Sequence, residues 1–213
     1  ESVKYSNERI QFKSPISSFG AIKEKISQMA TSCYIGESAC YRAAKDIENR
    51  TEVFLSEGMS HQESELKGVE DFAIECSLIK IGISEDIMNC SDEGIQIFGG
   101  MGFSAEAPME SAWRDARIGR IYEGTNEINR MLSVGMLLKK GIKGQINLME
   151  AVMNAKSDLL KNIDKKEISA NILSNETQLL INLKKIFLIL IGKAVEKYGQ
   201  DLEKKQQILI SLS

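Results

Sequence analysis

Two long apolar stripes, repeating at steps of three, four and seven residues with no proline inside either, restrict this chain more than any other feature. In residues 16 to 49 the stripe is Ile22, Ile26, Met29, Cys33, Cys40, Ala44 and Ile47; from about 64 to 97 it is Val69, Phe72, Cys76, Ile79, Ile83 and Ile87. That spacing gathers apolar groups on one face of a 3.6-residue helix, and a half-buried strand would instead alternate. Both segments are predicted to be long helices with one face on a core. Only two prolines and 6% aromatic residues agree with an all-α chain, and 43% apolar residues suffice for a sizeable core.

Between the stripes lie Gly58 and the single histidine, His61. The text "SHQE" offers a capping box with Ser60 as N-cap and Glu63 reaching back. His61 reads as a loop residue, with no nucleophile or metal partner near it in sequence. The second helix is predicted to end in "FGGMGF", whose glycines break it and let the backbone come close to something, a neighbouring helix included. This is not a dinucleotide fingerprint, because no strand precedes it and no helix opens from it. A short helix follows around Pro108 to Ile118, and another from about Asn126 towards Lys140. Three or four antiparallel helices of this kind make a bundle.

Gly141 and Gly144 mark a boundary, giving residues 1–140 and 141–213 as the predicted domains. Beyond it, helices are expected over 145 to 162 and 176 to 198, joined by a polar linker, with Gly199 as a C-cap. The run "LLINLKKIFLILIGKAV" is interrupted by Lys184, Lys185 and Lys193, too short and too charged to span a bilayer. Core helix, partner-facing helix and peripheral membrane contact stay open for it. "DLEKKQQILISLS" then opens a helix with Asp201 at its cap and no stop signal, and the first residue is not Met. A piece of a longer protein is therefore expected.

A net charge of −3 supplies no broad basic field, which argues against a nucleic-acid partner. Cys33, Cys40, Cys76 and Cys90 form no CxxC pair and have no histidine cluster beside them. Buried reduced thiols are predicted, and no metal site.

The corner Tyr122-Glu123-Gly124-Thr125 stands between two predicted helices. Two readings of Glu123 are open. It is a positioned general base, which needs desolvation to work near neutral pH, or an acid favoured by the dipole of the helix that follows. Arg9 and Phe12, before a turn at Pro15, are similarly a phosphate clamp and ring cover, or a solvated arginine and a core phenylalanine.

Taken in order, "NERIQFKSPISSFGAIKEKI" and "DEGIQIFGGMGFSAEAPMESAWRDARIGRIYEGTNEINR" closely resemble the C-terminal helical domain of the acyl-CoA dehydrogenases, over about residues 4 to 140. The resemblance implies an antiparallel up-down four-helix bundle followed by a helical extension. It implies part of an FAD-dependent enzyme that converts fatty acyl-CoA to trans-2-enoyl-CoA in fatty acid β-oxidation. Glu123 matches the family's "YEGT" glutamate, which takes the α-proton of the thioester while a hydride passes from the β-carbon to flavin N5. Its backbone amide would polarise the thioester carbonyl, and Tyr122 and Gly124 would line the substrate pocket.

The same resemblance assigns Arg9 and Phe12 to the pyrophosphate and adenosine of FAD across a dimer. Gln96, Ile97, Phe98, Gly99 and Gly100 would receive the ADP part of the FAD held mainly by the neighbouring subunit, and Thr125, Asn126 and Glu127 would lie near its diphosphate. Gly20, where many short- and medium-chain members have glutamine, and the continuation through residues 141–213 resemble the very-long-chain branch. Its members are typically dimers with an added C-terminal helical domain and some membrane association.

Implied partners are acyl-CoA, an electron-transfer flavoprotein and a second copy in a homodimer or dimer of dimers. The implied location is the cytoplasm of a bacterium, or the matrix or inner-membrane face of a mitochondrion. The family's N-terminal helical domain and middle β-domain lie outside these residues, so the isolated segment is expected to fold but neither to retain FAD nor to turn over. The alternatives are an acyl-CoA oxidase and a non-catalytic helical scaffold of the same fold.

Overall fold

A computed structural model describes residues 1–160 and 172–213. The chain is all-α, as predicted, apart from one small hairpin. Helix α1, Ser2–Glu8, leads into strands β1, Ile10–Gln11, and β2, Ser14–Pro15, paired antiparallel through a two-residue turn. Phe12 and Lys13 form that turn with φ of 51° and 68°. Positive φ at both central positions suits the twist of a two-residue hairpin.

Helix α2, Gly20–Ser56, has 37 residues and is about 55 Å long at 1.5 Å per residue. It begins after the predicted residue 16 because Ile16–Ser18 first makes a 3-10 turn. The second stripe is two helices, α3, His61–Asp71, and α4, Ala73–Phe98, separated at Phe72 (φ −103°, ψ 20°). His61 is therefore the first residue of α3 rather than a loop residue. The capping box is formed as read: the Glu63 amide donates to Ser60 Oγ at 3.4 Å, and the Ser60 amide to Glu63 Oε2 at 3.3 Å. A short helix α5, Gly100–Phe103, precedes α6, Pro108–Ile118, and α7, Asn126–Ile142.

Two compact units are present, Glu1–Asn129 and Arg130–Ser213. In the first, α3 and α4 run antiparallel to α2. The pairs that show it are Lys25 with Glu93, Cys90 Sγ with the Met29 carbonyl, and Arg50 Nε with Asp71 Oδ2 at 2.6 Å. On the other side of α4 lies α6, again antiparallel, with Trp113 Nε1 donating to Asp92 Oδ1 at 3.1 Å and Met109 against Gly94.

Central packing of α4 explains why its predicted stripe is only partly right. Ile81, Ser84, Met88, Gly94, Ile97 and Phe98 are buried between its neighbours, while Val69 and Ile87 are half exposed. On α2, Ile22, Ile26, Met29 and Ile47 are half-buried, but Cys33, Cys40 and Ala44 are exposed. Seven-residue steps drift by about 20° per heptad around a straight helix, and small residues at Gly36, Ala39 and Ala43 take the inner positions instead. The buried thiols are corrected accordingly: Cys33 and Cys40 are exposed, and Cys76 and Cys90 half-buried. Burial, with Cys33 nearby, pushes the Cys90 thiol up to about 11.

In the second unit, α8, Leu148–Leu160, and α9, Ser174–Tyr198, are antiparallel, joined by Lys185 Nζ to Asp158 Oδ2 at 2.7 Å and by Gly192 packed on Val152. Their core holds Val134, Val152, Ile191, Ala194, Leu202, Leu209 and Leu212. Most of the predicted polar linker between 162 and 176 lies outside the described residues. Gly199 ends α9 at φ 51°, as read. Asp201, however, sits in a 3-10 turn, Gly199–Lys204, which inserts Leu202 into the core; α10, Gln206–Leu212, starts only after Lys205. The apolar run of α9 is core at Ile191 and Ala194 but exposes Leu179, Leu183, Ile186 and Leu190 along one face. Among the described residues no helix is long and apolar enough to cross a membrane.

Candidate functional site

The corner between α6 and α7 is closed by backbone bonds. Tyr122 N–H donates to the Ile118 carbonyl at 3.2 Å, and Asn126 N–H reaches back to the Arg120 carbonyl at 3.1 Å. Within it Glu123 has φ 54° and Gly124 φ 81°. A left-handed glutamate is uncommon and costs conformational energy. Glu123 is exposed, and among the described residues its carboxylate makes no hydrogen bond or ion pair. The apolar burial asked of a base is not supplied by this unit. Tyr122 is also exposed, at 55%.

Polar groups on α4 form the floor under the corner. Lys80 Nζ donates to the Gly124 carbonyl at 2.9 Å and to Asn126 Oδ1 at 2.8 Å. Asn126 Nδ2 donates to Ser84 Oγ at 2.9 Å and to Glu85 Oε1 at 3.2 Å. Asn129 Nδ2 gives the Gly124 carbonyl a second donor at 2.9 Å. Asn126 is 1% exposed. Buried polar atoms stay affordable only when satisfied, and among the described residues none is left without a partner.

Thr125 starts α7, its Oγ1 accepting the Ile128 amide at 3.3 Å. Its hydroxyl also helps hold the Glu127 carboxylate below the usual range, after the larger effect of the Glu127 backbone amide; Arg120 and Arg117 add attraction. Asn126 is fastened on every polar group of its side chain. Both its amide nitrogens and its side-chain oxygen are engaged inside the unit.

A second cluster forms at the far end of α4. Tyr5 stacks on Phe98 with ring centroids 4.1 Å apart, and its hydroxyl donates to the Phe98 carbonyl at 3.2 Å. Arg9 follows directly at the end of α1, exposed, and Phe12 stands 87% exposed on the hairpin turn. Gln96, Gly99 and Gly100 are exposed, with open space where a Cβ would stand on either glycine. Ile97 and Phe98 have buried side chains, at 3% and 8%, so any contact they make with a ligand runs through backbone. Gly102 answers the question of close approach: a Cβ there would lie 2.5 Å from the Ile95 carbonyl oxygen.

The structure thus brings Tyr5 of α1 onto Phe98, leaves the Phe12 ring edge-on to Phe19, and sets Gly124 and Asn126 of the corner on Lys80 and Ser84. From Ser84 to Gln96 is about 18 Å along α4 at 1.5 Å per residue. Lys80, Ser84, Asn129 and Tyr5 were missed in the sequence. The available signal was a lysine and a serine four apart inside an otherwise apolar run, "SLIKIGIS".

Sequence profiles described as "Acyl-CoA dehydrogenase, C-terminal domain" match residues 1–137 and, separately, 182–213. Over 212 residues the chain is 39% identical to "Probable acyl-CoA dehydrogenase" of Bacillus subtilis, covering 100% of this chain and 36% of that protein. It is 38% identical over 131 residues to the very long-chain specific acyl-CoA dehydrogenase of Macaca fascicularis mitochondria, covering 62% of this chain and 17% of that protein. The crystal structure of an acyl-CoA dehydrogenase complexed with FAD from Bacillus anthracis superposes with a TM-score of 0.94 at 39% identity, over 99% of this chain and 36% of that one. The chain therefore spans only about a third of such a relative's length. By a profile match over more than half its residues, the chain belongs to the acyl-CoA dehydrogenase family.

Proposed function

We propose that these residues form the C-terminal part of an FAD-dependent acyl-CoA dehydrogenase in which Glu123 is the catalytic base. The observation that carries the reading is the corner itself: an exposed glutamate held at positive φ, with its loop fastened to α4 through Lys80 and Asn126 and braced within α7 by Asn129. Backbone strain of this kind persists where surrounding structure imposes it and concentrates at functional sites.

In this reading the Glu123 carboxylate takes the α-proton of an acyl-CoA thioester, and its amide hydrogen-bonds the thioester oxygen as negative charge grows there. Tyr122 and Gly124 line the pocket and help exclude water. Bound FAD supplies the hydride acceptor. Arg9 at the end of α1 suits an anionic group and Phe12 on the strained hairpin turn a planar one, and the open space at Gly99 and Gly100 suits close approach of the Gln96 to Gly100 segment to a nucleotide. Thr125, Asn126 and Glu127 belong to the diphosphate side, and Asn126 also holds the corner.

The division into residues 1–140 and 141–213, the homodimer, and electron transfer to a flavoprotein acceptor are parts of the same proposal. So is a preference for long acyl chains, supported by Gly20 and the helical extension. The test is to incubate the full-length protein with FAD and acyl-CoAs of increasing chain length and follow flavin absorbance. Bleaching with long chains is expected, and hydrogen peroxide in air would mark an oxidase. No bleaching at any length would leave the scaffold reading.

A further inference from the structure

From the bonds beneath the corner we infer that Lys80 is a positioning residue for the base, setting the aim of Glu123 from α4. The inference rests on Glu123 acting as proton acceptor. Its own support is geometric. Lys80 is half-buried on the central helix of the first unit, and its ammonium makes two short bonds to residues on the far side of the base, the Gly124 carbonyl and Asn126 Oδ1.

Gly124 is the flexible link that needs such a hold. At φ 81° a glycine is free to rotate its following peptide, and that rotation would swing the preceding residue with it. Two donors, Lys80 Nζ and Asn129 Nδ2, meet on the Gly124 oxygen at 2.9 Å each and fix that peptide. Asn129 belongs to α7 and moves with the corner. Lys80 belongs to α4, which packs against α2 on one side and α6 on the other, so it alone of the two refers the corner to the packed rod.

The second bond of Lys80 extends the reference. Asn126 opens α7, and its amide nitrogen is bonded to Ser84 and Glu85, one turn further along α4. A single cation thus joins the peptide after the base to the first residue of the next helix. Charge-assisted bonds of this length are directional, so removing the cation loosens orientation more than it removes volume. Small displacements of a reacting group cost rate steeply.

The test uses the full-length holoenzyme with Lys80→Met, which keeps length but no donor, and Lys80→Arg, which keeps donors. Lys80→Met is expected to lower kcat by about 10- to 100-fold with little change in KM. The exchange of the substrate α-proton with solvent deuterium should slow in parallel, and amide hydrogen exchange at Tyr122 and Asn126, whose N–H groups close the corner, should quicken while α2 stays protected. Lys80→Arg should recover part of each. If Lys80→Met does not fold, Lys80→Gln takes its role with the same expected directions. Unchanged amide exchange at Tyr122 and Asn126 overturns the positioning role, whatever Glu123 does. A loosened corner with undiminished α-proton exchange instead contradicts Glu123 as the base, and with it the catalytic meaning of Lys80.

Discussion

Glu123 and Gly124 stand in succession in the left-handed backbone region, at φ 54° and 81°, and only the second is a residue that does so without steric cost. A side chain in that region costs on the order of 1–2 kcal/mol. Replacing Glu123 with glycine should therefore raise the unfolding free energy by about 1 kcal/mol while removing dehydrogenation. Denaturant unfolding of the variant checks the first part. A destabilised Glu123→Gly protein would mean that the side chain supports the fold rather than straining it.

Gly124→Ala tests the other half of the pair. A Cβ there would sit 3.2 Å from Asn129 Nδ2, besides being held at positive φ. The expected outcome is a loss of about 1–2 kcal/mol in stability, with faster amide exchange at the corner as Asn129 is displaced. Wild-type stability would show that the corner relaxes freely.

Gly102→Ala should be costlier than an ordinary glycine replacement, because the colliding atoms are backbone. The new Cβ would lie 2.5 Å from the Ile95 oxygen and 2.8 Å from its Cα. Urea unfolding is expected to show a loss of about 1–3 kcal/mol. Alanine at Gly99 or Gly100 meets no atom within 4 Å, though Gly99 has φ 60° and carries a backbone penalty of its own.

The capping box of α3 carries a pH dependence. The Ser60 hydroxyl, and then the Ser60 amide, hold the Glu63 carboxyl below its usual value. Its folded value is lower than its unfolded value, so the contribution is complete above the unfolded carboxylate range and disappears as pH falls through the folded one. Ser60→Ala should cost about 1 kcal/mol at neutral pH, and the difference from wild type should shrink in acid. A difference that grows in acid would reverse the assignment.

Much of the helical order was legible because spacing, breakers and caps are local. The Ser60–Glu63 box, the helix from Pro108 to Ile118 and the stop at Gly199 each depend on a few neighbouring residues. The break at Phe72 was not legible, since the apolar spacing continues through it and the interruption is a backbone event. The exposure of Cys33 and Cys40 was missed because a repeat of seven identifies a stripe, whereas burial depends on which helices lie across it.

The candidate site divides along the same line. Glu123 stood out by its place beside a glycine between two helices. Lys80 did not, because a lysine on an amphipathic helix is ordinarily a solvated residue. Its meaning lies in contacts with residues 44 and 46 positions away, Gly124 and Asn126, which only folding reveals.

The most direct measurement is α-proton exchange in the full-length protein loaded with FAD, comparing wild type with Glu123→Gln in deuterated buffer. The substitution keeps size and hydrogen-bonding shape while removing the proton acceptor. Exchange of the acyl-CoA α-hydrogen is predicted to fall by about 10²- to 10⁴-fold with the fold intact. Exchange at the wild-type rate would contradict Glu123 as the base.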